Sequence, residues 1–542
     1  MSVRNATVLF LALSTLLFLA ACGSSNGTAN PVPPPSGSFS DSNLNGTYVF
    51  SISGVDEGGF PYAMVGTLTA NGSGGITGGS LDINDTDTAV FTSGPIPAAT
   101  INNGSYHVGI DGRGTATFST PSITGGSFTL DFVLSSSSQG LVTEFDAFGS
   151  GSGTLDAQTA GVTPTGPYAF SLAGAAYTSG APWAMAGNFA VTGTSIAGLD
   201  DLNEGGLLPY PDNTFSGSLI LGPSATPATT LTAGPFTGTF DVYAIDANHL
   251  KFIEIDQTAT LSGDAFSQTS TTIPQGTFAF TLTGDLSATS GAPFVAGGFL
   301  VTDGAGKITS ASTEDFNGGG TNLSNQTSPG TFTATYTAAG AGRFALGNFA
   351  TWVGGTSYVA YPSSGGLLLL EIDNAAITTG AAYQQTAGAT FASGQGYGMN
   401  LSGVNDSTGS PVEVDDIAEF TAASGGTLSS GVIDENSAPS GIPNQSLALT
   451  AGTYGTIGST GRYGISATAG TTNNSTLLGG FTLSFYTVDG TTFPFIEMDG
   501  DQVSTGVIVE QSPTASSPAL ARSRMFVVRP LINSHIARKK QN

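Results

Sequence analysis

One segment recurs four times, and nothing else in the sequence limits the possible folds so tightly. Gly46-Thr47-Tyr48-Val49-Phe50-Ser51-Ile52-Ser53-Gly54 returns as Gly166-Pro167-Tyr168-Ala169-Phe170-Ser171-Leu172-Ala173-Gly174 and as Gly276-Thr277-Phe278-Ala279-Phe280-Thr281-Leu282-Thr283-Gly284. A weaker fourth copy runs Gly396-Tyr397-Gly398-Met399-Asn400-Leu401-Ser402-Gly403. Large apolar residues alternate with small or hydroxyl ones, the period of a strand with one buried face. The copies lie 110 to 120 residues apart, so each repeat is a whole domain rather than one coil of a solenoid.

Each copy leads into a hairpin: Asn71-Gly72 before Ile76, Gly193 before Ile196, Asp303-Gly304 before Ile308, and Gly425-Gly426 before Leu428. Such pairs supply the positive φ that tight turns require. About eight short apolar runs follow in the first unit, near Tyr48, Leu68, Ile76, Ile101, Tyr106, Ala116, Phe128 and Val142. Charged residues make up only 9% of the chain, Gly numbers 78, and 39% is apolar, which excludes both a helical fold and wholesale disorder. The expectation is an all-β chain of four tandem antiparallel meanders, closed as small up-and-down barrels or folded as sandwiches. The boundaries read as 1–22 leader, 23–42 tether rich in Pro, Ser and Gly, then repeats 43–160, 161–272, 273–390 and 391–511, and a tail 512–542.

Charge excludes one class of partner. All 38 acids lie between Cys22 and Glu510 beside five bases, Arg113, Lys251, Lys307, Arg343 and Arg462. Such a chain repels nucleic acid. The tail reverses sign with Arg522, Arg524, Arg529, Arg538, Lys539 and Lys540, and reads as a disordered end or a docking segment.

Two acidic motifs recur in every unit. Asp-x-Asn follows the hairpin at Asp82/Asn84, Asp201/Asn203, Asp315/Asn317 and Asp434/Asn436, and Glu-x-Asp closes a late strand at Glu144/Asp146, Glu254/Asp256, Glu371/Asp373 and Glu497/Asp499. Residues two apart on a strand share a face, so each pair could act together. As oxygen donors they could hold Ca²⁺, the one cofactor the sequence suggests; as paired carboxyls they could serve a glycosidase. The plainer reading is structural: Asp-x-Asn caps a turn on its own backbone, and Glu-x-Asp marks a strand's exit into water. Fourfold repetition favours a requirement of the fold over a reaction centre. The fourth unit adds Glu413, Asp415, Asp416 and Glu419, expected as an exposed acidic edge that discourages strand pairing. No nucleophile elbow, zinc helix or phosphate loop is present, and no catalytic residue is assigned.

Residues 1–22 carry Arg4, an uncharged run from Ala6 to Ala21, and the ending Leu19-Ala20-Ala21-Cys22-Gly23, which resembles the lipobox of bacterial lipoproteins. That resemblance implies removal of the leader, acylation of Cys22 (the chain's lone cysteine) and retention in the cell envelope, with Gly23 pointing to the outer membrane. The repeat length and its opening strand also resemble avidin-type and lipocalin-type barrels, without the tryptophans of an avidin pocket. The function expected is binding or adhesion to an extracellular glycan or protein, repeats multiplying weak contacts. The alternatives are a spacer without specific ligand and a carboxylate-dependent polysaccharide hydrolase. Binding would leave Trp183 and Trp352 exposed beside a groove, and a spacer would bury them.

Overall fold

In the computed structural model, the first strand of each repeat pairs with both the second and the last, so each sheet closes on itself. The structure describes residues 38–513 except 87–93, 122–126, 206–208, 223–228, 235, 287–291, 319–320, 327–333, 350–356, 406–410, 440–442, 459–460 and 471–478. Cys22, Trp352 and the basic tail lie outside the described residues. In barrel one, Asn45–Asp56 runs antiparallel to Pro61–Asn71 and to Gly149–Ala157. The same triple is Gly166–Ala175 with Pro182–Thr192 and Ser262–Ser267 in barrel two, and Gly276–Asp285 with Pro293–Thr302 and Ile377–Gln384 in barrel three. Barrel four repeats it with Gln395–Asn405, Val412–Ala423 and Gln502–Glu510.

Eight strand positions in up-and-down order make each barrel, which decides against the sandwich. In barrels one and three the fourth position is split, as Ile96–Ile101 plus Asn103–Val108 and as Thr321–Gln326 plus Thr335–Ala338. Closure there runs through the pairing Gly75↔Ser105 and the bridge Lys307↔Thr335. The last strand of barrel one escaped the sequence reading because Gly149-Ser150-Gly151-Ser152-Gly153 looks like a turn. Small residues are needed there: a Cβ on Gly153 would collide with the Ser51 carbonyl on the adjoining strand.

Alternation fills each interior. Tyr48, Phe50 and Ile52 point into barrel one with Leu68, Leu81, Phe118, Phe128 and Val142; Tyr168, Phe170 and Leu172 do the same in barrel two. The opposite face of the first strand is buried too, which a lone barrel cannot explain. Val49, Ala63 and Val65 of barrel one pack on Tyr243, Ile245 and Ile253 of barrel two. Ala169, Ala184 and Ala186 of barrel two meet Val359, Tyr361 and Leu368 of barrel three, while Ala279 and Phe299 of barrel three meet Tyr486 and Val488 of barrel four. Ile417 and Val507 of barrel four then meet Val133 and Leu141 of barrel one. Four successive barrels thus close head to tail into a ring. In every seam the first three strands of one barrel lie on the last three of the next, a heterologous contact whose rotation closes after four units.

Candidate functional site

Both recurring motifs are spent on these seams. The third strand of each barrel ends in Asp-x-Asn on its outer face, and the following barrel offers the turn after its seventh strand. Asn84 donates its amide to the carbonyls of Glu254 (2.9 Å), Asp256 (3.3 Å) and Ala259 (2.8 Å) in barrel two. Asn203 donates to Glu371 (2.9 Å) and Ala376 (3.3 Å), and Asn317 to Glu497, Asp499 and Gln502 at 2.9–3.0 Å. Asn436 completes the circuit on Glu144 (2.8 Å), Asp146 (3.4 Å) and Gly149 (2.8 Å) of barrel one. Only a nitrogen fits among carbonyl oxygens, so chemistry fixes the orientation of each amide.

The aspartate two residues earlier faces the same way and serves two partners. One oxygen accepts an amide from a fourth-strand residue with positive φ: Ala98 for Asp82 (2.5 Å), Asp212 for Asp201 (2.8 Å) and Ser446 for Asp434 (2.5 Å). The expected turn cap is therefore corrected, since the backbone it holds belongs to the neighbouring strand. The other oxygen reaches the next barrel. Tyr243 donates to Asp82 (2.5 Å), Tyr361 to Asp201 and Tyr486 to Asp315 (2.5 Å). Arg343 grips Asp201 with both arms (2.8 and 2.7 Å), as Arg462 grips Asp315 (2.7 and 2.6 Å). Paired donors of this kind are strong and directional. Arg113 joins Asp434 (2.8 Å) to Asp111 (3.0 Å). Asp82 has no arginine opposite it. Burial and the nearby Asp241 carboxyl push it up to about 7.

Glu-x-Asp does not share a face, because the strand ends at the glutamate. Asp146 lies in the turn and accepts the amides of Thr129 (2.7 Å) and Phe148 (2.8 Å); Asp256, Asp373 and Asp499 repeat the pattern. The glutamate instead sits buried at the end of its strand. Glu144 takes the Tyr62 hydroxyl, Glu254 the Leu261 amide (3.3 Å), and Glu371 the Ala376 amide (3.0 Å). Burial holds Glu371 at about 8 and lifts Glu144, Glu254 and Glu497 well above the usual carboxyl range.

These contacts bear on the Ca²⁺ and hydrolase expectations. The turn carbonyls that a cation would use already accept an asparagine amide, and among the described residues no group of three acidic or histidine side chains is arranged to hold a metal. The motif carboxyls lie in seams and strand ends; each aspartate accepts protein donors, while among the described residues one buried oxygen each of Glu144, Glu254 and Glu497 meets none. The fourth-unit cluster is a correction: Glu413, Asp415, Asp416 and Glu419 are all fully buried. Trp183 is buried in the core of barrel two, its ring centroid 5.6 Å from Phe236.

A further repeated contact escaped the sequence reading. Gln158, Gln268, Gln385 and Gln511 each follow the last strand of a barrel and donate to a carbonyl of the next: Ala244 (2.9 Å), Pro362 (3.0 Å), Thr487 (3.0 Å) and Leu134 (3.0 Å). A Gln followed by Thr or Ser at all four repeat ends was the available signal.

Fold and seams together define an all-β ring of four tandem up-and-down barrels. No family model matches the chain, and no curated protein matches it in sequence. Solved structures that do match include isotype 1 transferrin-binding protein B from serogroup B Neisseria meningitidis, at 10% identity over 69% of this chain and 84% of that one, with a TM-score of 0.19. A variant of transferrin-binding protein B from Haemophilus parasuis Hp5 matches at 10% identity over 69% and 82%, with a TM-score of 0.15. At those scores the chains do not superpose as whole folds.

Proposed function

We propose that the protein is a lipid-anchored component of a bacterial cell envelope whose ring holds a protein or glycan ligand on the face turned away from its anchor. The observation that carries this reading is where the described chain begins and ends. Phe39 is buried against barrel one and Asn43 donates to the carbonyl of Pro513 (3.1 Å), so both ends leave from one side. Connections after odd-numbered strands then point the other way. They are unlike from barrel to barrel: the third and fourth strands are joined from Asp85 to Ile96, from Glu204 to Tyr210, from Gly318 to Thr321 and from Ala438 to Asn444. A like frame carrying unlike loops is the usual layout of a binding face.

The test is retention of the chain from Gly23 onward on glycan and extracellular-protein arrays, beside a variant whose 86–95 connection is shortened to the length found in barrel three. Binding by the parent and its loss in the variant, at equal melting temperature, is the expected result; no ligand, or equal binding by both, removes the reading. A spacer without specific ligand is the second reading, favoured by the burial of Trp183. Cys22→Ala tests the anchor separately, with release of the chain from the membrane fraction as the expected outcome.

A further inference from the structure

The four seams are built alike but not charged alike. Register places Glu413, Asp415 and Glu419 of barrel four where barrel one has Pro61, Ala63 and Thr67, barrel two has Pro182, Ala184 and Asn188, and barrel three has Pro293, Val295 and Phe299. The three carboxyls are buried between barrels four and one, the only seam whose two barrels are not joined by a peptide linker. We propose that this seam is a pH-operated latch: the ring stays closed while these carboxyls hold protons and opens between barrels four and one when they ionise.

The groups that face the latch are few in sign. Barrel four contributes Glu413, Asp415 and Glu419 from its second strand and Asp434 from its third, with Asp416, Glu435 and Glu497 behind them; its first strand has no carboxyl or cation. Barrel one contributes Asp111 and Arg113 at the start of the fifth strand, Asp131 from the sixth and Glu144 from the seventh. Asp146 lies in the following turn, and Asp85 stands near Glu144. Asp156 on the eighth strand faces Lys251 of barrel two at 3.9 Å. Among the described residues that face this seam the single cation is Arg113, already held by Asp111 and Asp434. Asp415 meets only the Ser150 hydroxyl across the seam (2.7 Å), and neither oxygen of Glu419 has a hydrogen-bond donor. Two charges there would be desolvated without a counter-ion.

Burial raises Asp415 to about 7, lifts Glu419 well above its usual range, and with Asp434 raises Asp131 to about 7. The closed seam therefore binds more protons than an opened one, whose carboxyls ionise near 4 in water. Closure weakens as pH rises from about 4 through about 7, by up to tenfold per pH unit for each group. The other three seams lack these carboxyls and keep their linkers.

The test is the radius of gyration, by solution scattering, of the chain from Gly23 onward between pH 5 and pH 9, with the triple variant E413Q/D415N/E419Q alongside. A parent that expands with rising pH while the variant stays compact is the expected result. A parent of constant size, or a variant that expands like the parent, overturns the latch. A cross-link through S152C/N400C, whose parent side chains meet across the seam at 2.9 Å, supplies a second measurement in the same chain, which has no other cysteine. It should hold the chain compact at pH 9, and expansion despite the cross-link would place the opening elsewhere and overturn the proposal.

Discussion

At the scale of single residues, the seam asparagines act as donors with no substitute. Asn317→Ala removes three hydrogen bonds and leaves buried carbonyls without a partner, so a loss of about 2 kcal/mol is expected in urea unfolding. Asn317→Asp should cost more than the alanine, because it turns carboxyl oxygens toward those carbonyls; equal losses would mean that the site admits water. Arg462→Met leaves Asp315 buried with Tyr486 and without its cation, and about 3–5 kcal/mol is the expected cost. The sequence made the importance of Asp-x-Asn and Glu-x-Asp legible through repetition. It did not make their partners legible, because Asn84 and Glu254 are 170 positions apart and each motif is complementary to a different motif in the next unit.

At the scale of elements, the strand openings and hairpins were readable because they depend on local alternation and turn chemistry. The glycine-rich last strand of barrel one was not, since its composition answers to a close approach between strands. The register shift of the fourth strand opposite Asp-x-Asn was equally hidden: no residue signal marks Ala98, Asp212 and Ser446 as left-handed, and only the aspartate that grips each amide explains them. Ala98→Gly should gain about 0.5 kcal/mol, the relief of left-handed strain exceeding the added freedom of the unfolded chain. A loss in thermal unfolding would show that the alanine methyl is needed for packing.

At the scale of the whole molecule, the scarcity of exposed charge follows from where the acids went. Asp200 is raised to about 7 and Glu314 and Glu371 to about 8, in each case chiefly by burial. Their folded values exceed the unfolded ones near 4, so the folded state retains protons that the unfolded chain releases, and stability falls as pH climbs from about 4 to about 8. A melting temperature several degrees lower at pH 8 than at pH 5 is expected, and a flat profile would contradict it. Because the start and finish of the ring are neighbours, the position of its ends is a matter of genetic order more than of architecture. A circular permutant that fuses Gln511 to Phe39 through a short Gly-Ser bridge and begins instead between barrels two and three, at Thr271, should refold into the same ring. Its ends would then lie diametrically across the ring from their present place, half a turn around, while all four seams kept their partners.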